Sequence, residues 1–164
     1  KSENKKQRAA LISKEIDEIR GTIFRQTMFA EFEHIIHEQA EAGQPLTLDV
    51  FRGVYRDLLA EYFGPGFVID VELDLEGLRI PHFYNAFYVY KYATGLSAAI
   101  ALSRAVLAKE PGAIAKYLGF LRAGGSKFPL DLLRDAGVDL TQPEPVQQAM
   151  TRFKELVEEL DDLI

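Results

Sequence analysis

The sequence contains no cysteine, only three histidines and no long uncharged hydrophobic run. Without cysteine there is no disulfide framework, no thiolate metal site and no cysteine nucleophile, and the chain fits a reducing cytoplasm. The longest weakly charged stretch, Phe83 to Ser103, carries Asn85, Lys91 and four tyrosines. It therefore reads as a buried helix and not as a membrane span. No signal-peptide pattern precedes it. Concentrated positive charge is scarce as well. The net charge is −6 and the basic residues are dispersed among acids, which argues against a broad nucleic-acid surface. Lys5, Lys6 and Arg8 form a small cluster that reads as a solvated helix start. An initiating methionine is also missing: the chain opens Lys1-Ser2-Glu3-Asn4 and the helical pattern begins almost at once. That opening reads as a piece of a longer protein.

What is present is the composition of an ordered globular chain. With 48% hydrophobic and 27% charged residues over 164 positions, one domain over 1–164 can bury roughly two thirds of its unfolded surface.

Periodicity is helical almost throughout. From Lys5 to about Ala42, apolar residues recur at three and four positions (Leu11, Ile12, Ile16, Ile19, Ile23, Phe24, Met28, Phe32, Ile35, Ile36). Gly21 interrupts this run, predicting either a kink or a close packing partner. Thr47 is a candidate N-cap for a helix that turns Phe51, Val54, Tyr55, Leu58 and Tyr62 inward and stops at Gly64-Pro65-Gly66. Phe67 to Leu75 alternates apolar and acidic residues. A lone strand would have no pairing partner, so the expectation is a connector or a poor helix. An aromatic run then leads into an alanine-rich helix to Lys109. Helices over 112–122 and 130–135 end at glycines. Thr141 with Glu144 has capping-box spacing for a last helix, Pro145 to about Leu163. The expected fold class is all-α, a helical bundle of about six or seven helices.

Two groups of side chains could carry chemistry. The stretch "EHIIHEQAEAG" sits one residue away from the His-Glu-x-x-His signature, and His34, His37, Glu38 and Glu41 lie three or four apart. The same spacing puts them opposite Met28, Phe32, Ile35 and Ile36, so the face should be wet and offer a metal no sheltered site. The second group is aromatic. Read as a helix, Tyr84, Tyr88 and Tyr92 form one stripe and Phe83, Phe87 and Tyr90 its neighbour. A buried tyrosine hydroxyl without a partner costs about 1–3 kcal/mol. Some of these hydroxyls could instead line a wet cleft and, with His82, donate to a developing oxyanion; the alternative is a packing interface with polar tips at its rim.

Three stretches, "IRGTIFRQTMFAEFE" (Ile19 to Glu33), "IPHFYNAFYVYKYATG" (Ile80 to Gly95) and "YLGFLRAGGSKFPLDLLRDAGVD" (Tyr117 to Asp139), closely resemble the C-terminal part of oligoendopeptidase F. That is a zinc metallopeptidase of the thimet-oligopeptidase-like family. The resemblance implies the C-terminal portion of a zincin-type catalytic domain whose parent cleaves short peptides in a deep channel between helical domains. In the family, zinc is held by a His-Glu-x-x-His helix and a glutamate on the following helix, both upstream of "IRGTIFRQ". Neither motif occurs in this sequence, so no zinc is expected in this chain and it should be inactive alone. Carried over by position, His82 and Tyr84 are expected to contact substrate. Tyr90 is the first choice for oxyanion donor and Tyr88 the alternative, because Phe87-Tyr88-Val89-Tyr90 stands where longer relatives have Tyr-Tyr-Gly-Tyr. Self-association through surface exposed by truncation is expected; nucleic-acid and membrane partners are not. The rival reading is a non-catalytic helical interaction domain that kept the peptidase fold.

Overall fold

A computed structural model describes residues 4–164, and among these every regular element is helical. The residues that opened the sequence, Lys1 to Glu3, lie outside the described part. In chain order the elements are α1 (Lys5–Ile19), α2 (Arg25–Glu41), α3 (Leu48–Phe63), the single turn α4 (Glu76–Arg79), α5 (Tyr90–Leu107), α6 (Ala113–Ala123), α7 (Pro129–Ala136) and α8 (Glu144–Asp161). Seven of these are eight residues or longer, as the sequence pattern predicts.

The contacts fall into two compact units: Gly21–Ala93, and the described residues up to Arg20 together with Thr94–Ile164. Between α1 and α2 the helix widens into a π-helical turn, Arg20–Phe24. A Cβ placed on Gly21 would meet nothing within 4 Å. Of the two readings of this glycine, a close packing partner does not hold; the irregularity at this point is the widened turn.

In the Gly21–Ala93 unit the core is built of large side chains. Met28, Phe29 and Phe32 of α2 meet Tyr55, Leu58 and Leu59 of α3 and, from the aromatic segment, Val89. Burial of each such side chain contributes roughly 1.5–3 kcal/mol. Phe32 and Tyr55 meet edge to face at 5.2 Å, and Phe83 packs on Phe29 and Phe32 at 5.7 and 5.4 Å. α3 begins as expected, with Thr47 Oγ1 accepting from Val50 N at 3.4 Å. It ends at Gly64, whose φ of 74° is left-handed.

The acidic connector before the aromatic run becomes a 3-10 turn, Val71–Leu75, running directly into α4. Two of its acids are buried instead of solvated. Asp74 is bonded bidentately by Arg52 at 3.0 and 3.2 Å. Glu76 accepts from Tyr55 Oη at 2.8 Å and from Arg79 at 2.8 Å, and it pairs with Arg25. Burial first, then the bond to Glu76, pushes the Tyr55 hydroxyl well above the usual phenol range. Neighbouring Gly77 is required by space: a Cβ there would stand 2.9 Å from the Tyr55 ring and 3.0 Å from Phe32.

The other unit is built differently. α1 packs on α8, burying Ile12, Ile19, Ala149 and Leu156. A second cluster joins Ala98, Ala101 and Leu102 of α5 to Ala136 and Val138. Its ion pairs lie at the surface, among them Arg152–Glu15 at 2.9 Å, Arg104–Glu155 at 2.9 Å, and Arg8–Glu159. The Thr141–Glu144 capping box does not form. Thr141 turns back to Asp139, its N–H and Oγ1 donating at 2.9 and 2.7 Å, and Pro143 takes the N-cap position of α8. A proline just outside the helix fixes φ in place of a side-chain cap.

Candidate functional site

The aromatic run is not one helix. Pro81–Tyr84 makes a 3-10 turn, residues 85–89 are irregular, and α5 begins only at Tyr90. The stripes of Tyr84, Tyr88 and Tyr92, and of Phe83, Phe87 and Tyr90, therefore do not exist as helix faces. The reason lies at Phe87, whose φ of 56° is left-handed. A non-glycine residue held there costs of order 1–3 kcal/mol and persists only where its surroundings over-determine it. Here they do. The Phe87 N–H donates to Glu33 Oε1 at 2.6 Å, and the Phe87 ring packs on the His37 ring at 4.6 Å. Two residues on, Val89 is 1% exposed within the core.

This break folds the run back on itself. The rings of His82 and Tyr88 stack at 5.8 Å, and Tyr92 meets both edge-on at 6.0 and 5.7 Å. Tyr92 Oη lies 3.3 Å from His82 Nε2. Hydrogen bonding with Tyr88 raises the Tyr92 hydroxyl above the ordinary phenol range. Lys91 Nζ sits 5.0 Å above the Tyr88 ring. One imidazole and two phenols thus share one exposed surface, a set suited to donating hydrogen bonds to a carbonyl or to the oxyanion derived from it.

Of the four residues singled out from the sequence, the structure brings His82 and Tyr88 together. Tyr84, at the end of the 3-10 turn, is 87% exposed, and Tyr90, the first residue of α5, is 49% exposed. Tyr92, which the sequence offered only as a member of the tyrosine stripe and not as one of the four site residues, joins the cluster; its separation of four from Tyr88 was the available signal. Glu33 gave no signal at all, because its partner is 54 residues away.

The surface face of α2 is largely as expected. His34, Glu38 and Glu41 are exposed, and His34 Nε2 stands 3.3 Å from Glu38 Oε1. His37 differs: it is half-buried under Phe87. Among the described residues no three His, Cys, Asp or Glu side chains converge to hold a metal ion. The donor set of the described residues does not fit the zinc ion that the resemblance places in the parent.

The chain belongs to peptidase family M3, whose sequence pattern matches residues 1–152. Within it the chain is similar to oligoendopeptidases of the F type. It is 51% identical to oligopeptidase PepF of Bacillus subtilis, over 99% of this chain and 24% of that protein. With an oligoendopeptidase F homolog of Borreliella burgdorferi the identity is 45%, over 89% of this chain and 25% of the other. The crystal structure of oligoendopeptidase-F from Enterococcus faecium superimposes with a TM-score of 0.96 at 42% identity, covering 99% of this chain and 31% of that one. The chain thus spans about a quarter of the length of the curated relatives it matches.

Proposed function

We propose that this chain is the C-terminal, substrate-facing wall of the catalytic domain of a zinc metalloendopeptidase that hydrolyses short peptides, with residues 1–164 acting as one part of that domain. The observation that carries the reading is the His82–Tyr88–Tyr92 cluster, in a chain similar along almost its whole length to oligoendopeptidases. His82 and Tyr84 contact the bound peptide. Tyr90, or in its place Tyr88, donates its hydroxyl proton to the carbonyl oxygen as negative charge develops there. Such a fixed donor strengthens its bond in the transition state and so acts on kcat more than on binding. Zinc, its ligands and the general base come from the remainder of the parent, and the setting is cytoplasmic.

The exposed apolar side chains of the alanine-rich unit support a further part of the reading, that the isolated chain self-associates. Ile114, Leu118 and Leu121 of α6 and Phe128 after it are all exposed, and a cavity of about 840 Å3 lined by Ala98, Leu102, Val106, Tyr117 and Phe120 opens beside them. No described helix is long and apolar enough to cross a membrane.

The test of the central reading is hydrolysis of a quenched fluorescent peptide by the purified 164-residue chain with added zinc. No turnover is expected. Chelator-sensitive cleavage would mean that the chain holds a complete active site and that its assignment as a wall is wrong.

A further inference from the structure

The Phe87 turn directs the two candidate donor tyrosines, and one buried side chain holds that turn. Glu33 is 2% exposed on the inner face of α2, with Met28, Phe29 and Phe32 buried along the same face. At such a position a leucine or methionine would pack without desolvating a carboxyl, and replacing buried polar groups by apolar ones of similar volume is often neutral or stabilising. A carboxyl placed there therefore has to be accounted for by what it binds. It binds the backbone: Oε1 accepts the Phe87 N–H at 2.6 Å, at a residue whose φ is 56°.

We propose that Glu33 is a positioning residue for the tyrosines on either side of Val89. By holding the Phe87 N–H, it keeps that residue left-handed. Buried Val89 anchors the chain two residues later, so the backbone direction is fixed at both ends of Tyr88 and just before Tyr90. The carboxyl acts through the backbone that it holds at Phe87. Phe87 cannot hold this conformation by itself, since a residue with a Cβ favours leaving the left-handed region. Without the clamp the turn relaxes and both hydroxyls move. Displacement of a catalytic group by about 1 Å costs on the order of a hundredfold in rate. This inference rests on the proposal above that Tyr90 or Tyr88 is the oxyanion donor.

The experiment uses the full-length parent peptidase, with kcat and KM measured for Glu33→Met, Glu33→Gln, the double variant Glu33→Met with Phe87→Gly, and the controls Tyr90→Phe and Tyr88→Phe. Glu33→Met, similar in volume but without an acceptor, is expected to lower kcat about ten- to a hundredfold with KM within about twofold. Glu33→Gln keeps a carbonyl acceptor, neutral and about half as strong, and recovers most of that loss. Glycine at 87 adopts the left-handed region unaided, so the double variant recovers part of it too, which a merely structural role for Glu33 would not produce. A folded Glu33→Met enzyme with wild-type kcat overturns the inference, as does a double variant no better than the single one. If Glu33→Met does not fold, amide exchange at Phe87 in Glu33→Gln decides: faster exchange with a matching drop in kcat supports positioning, and faster exchange with unchanged kcat overturns it. If neither tyrosine control lowers kcat, the donor assignment has failed instead, and the two failures are told apart.

Discussion

The two units of this chain solve the same folding problem with different materials. Gly21–Ala93 packs phenylalanine, tyrosine and methionine around carboxyls that are themselves buried: Glu33, Asp74 and Glu76. The alanine-rich unit packs small residues, Ala98, Ala101, Ala136 and Ala149, and keeps its ion pairs at the surface. The difference follows the backbone. Long helices satisfy their own N–H and C=O groups, so α5 and α8 can rely on close, small-residue contacts. The segment from Val71 to Val89 is a succession of short turns, whose irregular backbone and short acidic elements need partners from elsewhere. Glu33, Arg25, Arg52 and Tyr55 supply them from α2 and α3. The candidate site lies where this irregular segment, carrying His82 and Tyr88, runs into the first turn of α5, carrying Tyr90 and Tyr92.

Mutations that attack one unit at a time would sharpen this contrast. The largest effect is expected for Phe32→Ala, which removes a ring packed against Tyr55, Phe51 and Phe83. It should cost about 3–5 kcal/mol in chemical denaturation, and circular dichroism should show the loss in the aromatic signal. Next comes association. Light scattering of the isolated chain is expected to report species larger than a monomer, and Leu121→Lys on α6 should shift them toward monomer; a clean monomer at high concentration would count against the exposed-surface reading.

The smallest effect is electrostatic and belongs to the alanine-rich unit. Asp139 is held below the usual carboxylate range by its bonds from Thr141, and Glu155 by Arg104. The folded state therefore binds fewer protons than the unfolded one near pH 4, and stability should fall as the pH drops through that range. Because Glu155 is exposed and Asp139 partly so, solvent screens these interactions and the slope should be shallow. A stability profile flat from pH 6 to 3 would contradict the assignment.

Most of the helices were legible because amphipathic spacing and glycine stops are local signals: Thr47, Gly64 and Gly137 mark boundaries that the structure keeps. The site segment was not legible in the same way. Asn85 to Val89 contains neither glycine nor proline, and tyrosines at intervals of four imitate a helix, so nothing local announces the break at Phe87. Its cause is the hydrogen bond that the Phe87 N–H donates to Glu33, a carboxylate brought in by the packing of α2. Likewise the alternating stretch that ends at Leu75 carries no local sign that Asp74, or Glu76 just after it, is buried; their arginine partners come from α2 and α3. Local pattern decides which residues are helical; long-range polar contacts decide where the chain between helices turns, and the candidate site depends on the second.

The most direct test of the proposed role is the steady-state kinetics of Tyr90→Phe in the full-length peptidase, with Tyr88→Phe measured beside it. Loss of one oxyanion donor should lower kcat by roughly tens- to a thousandfold, about 2–4 kcal/mol, with little change in KM. A drop confined to Tyr88→Phe would move the donor by two residues and leave the wall in its role. Unchanged kcat in both variants would contradict it.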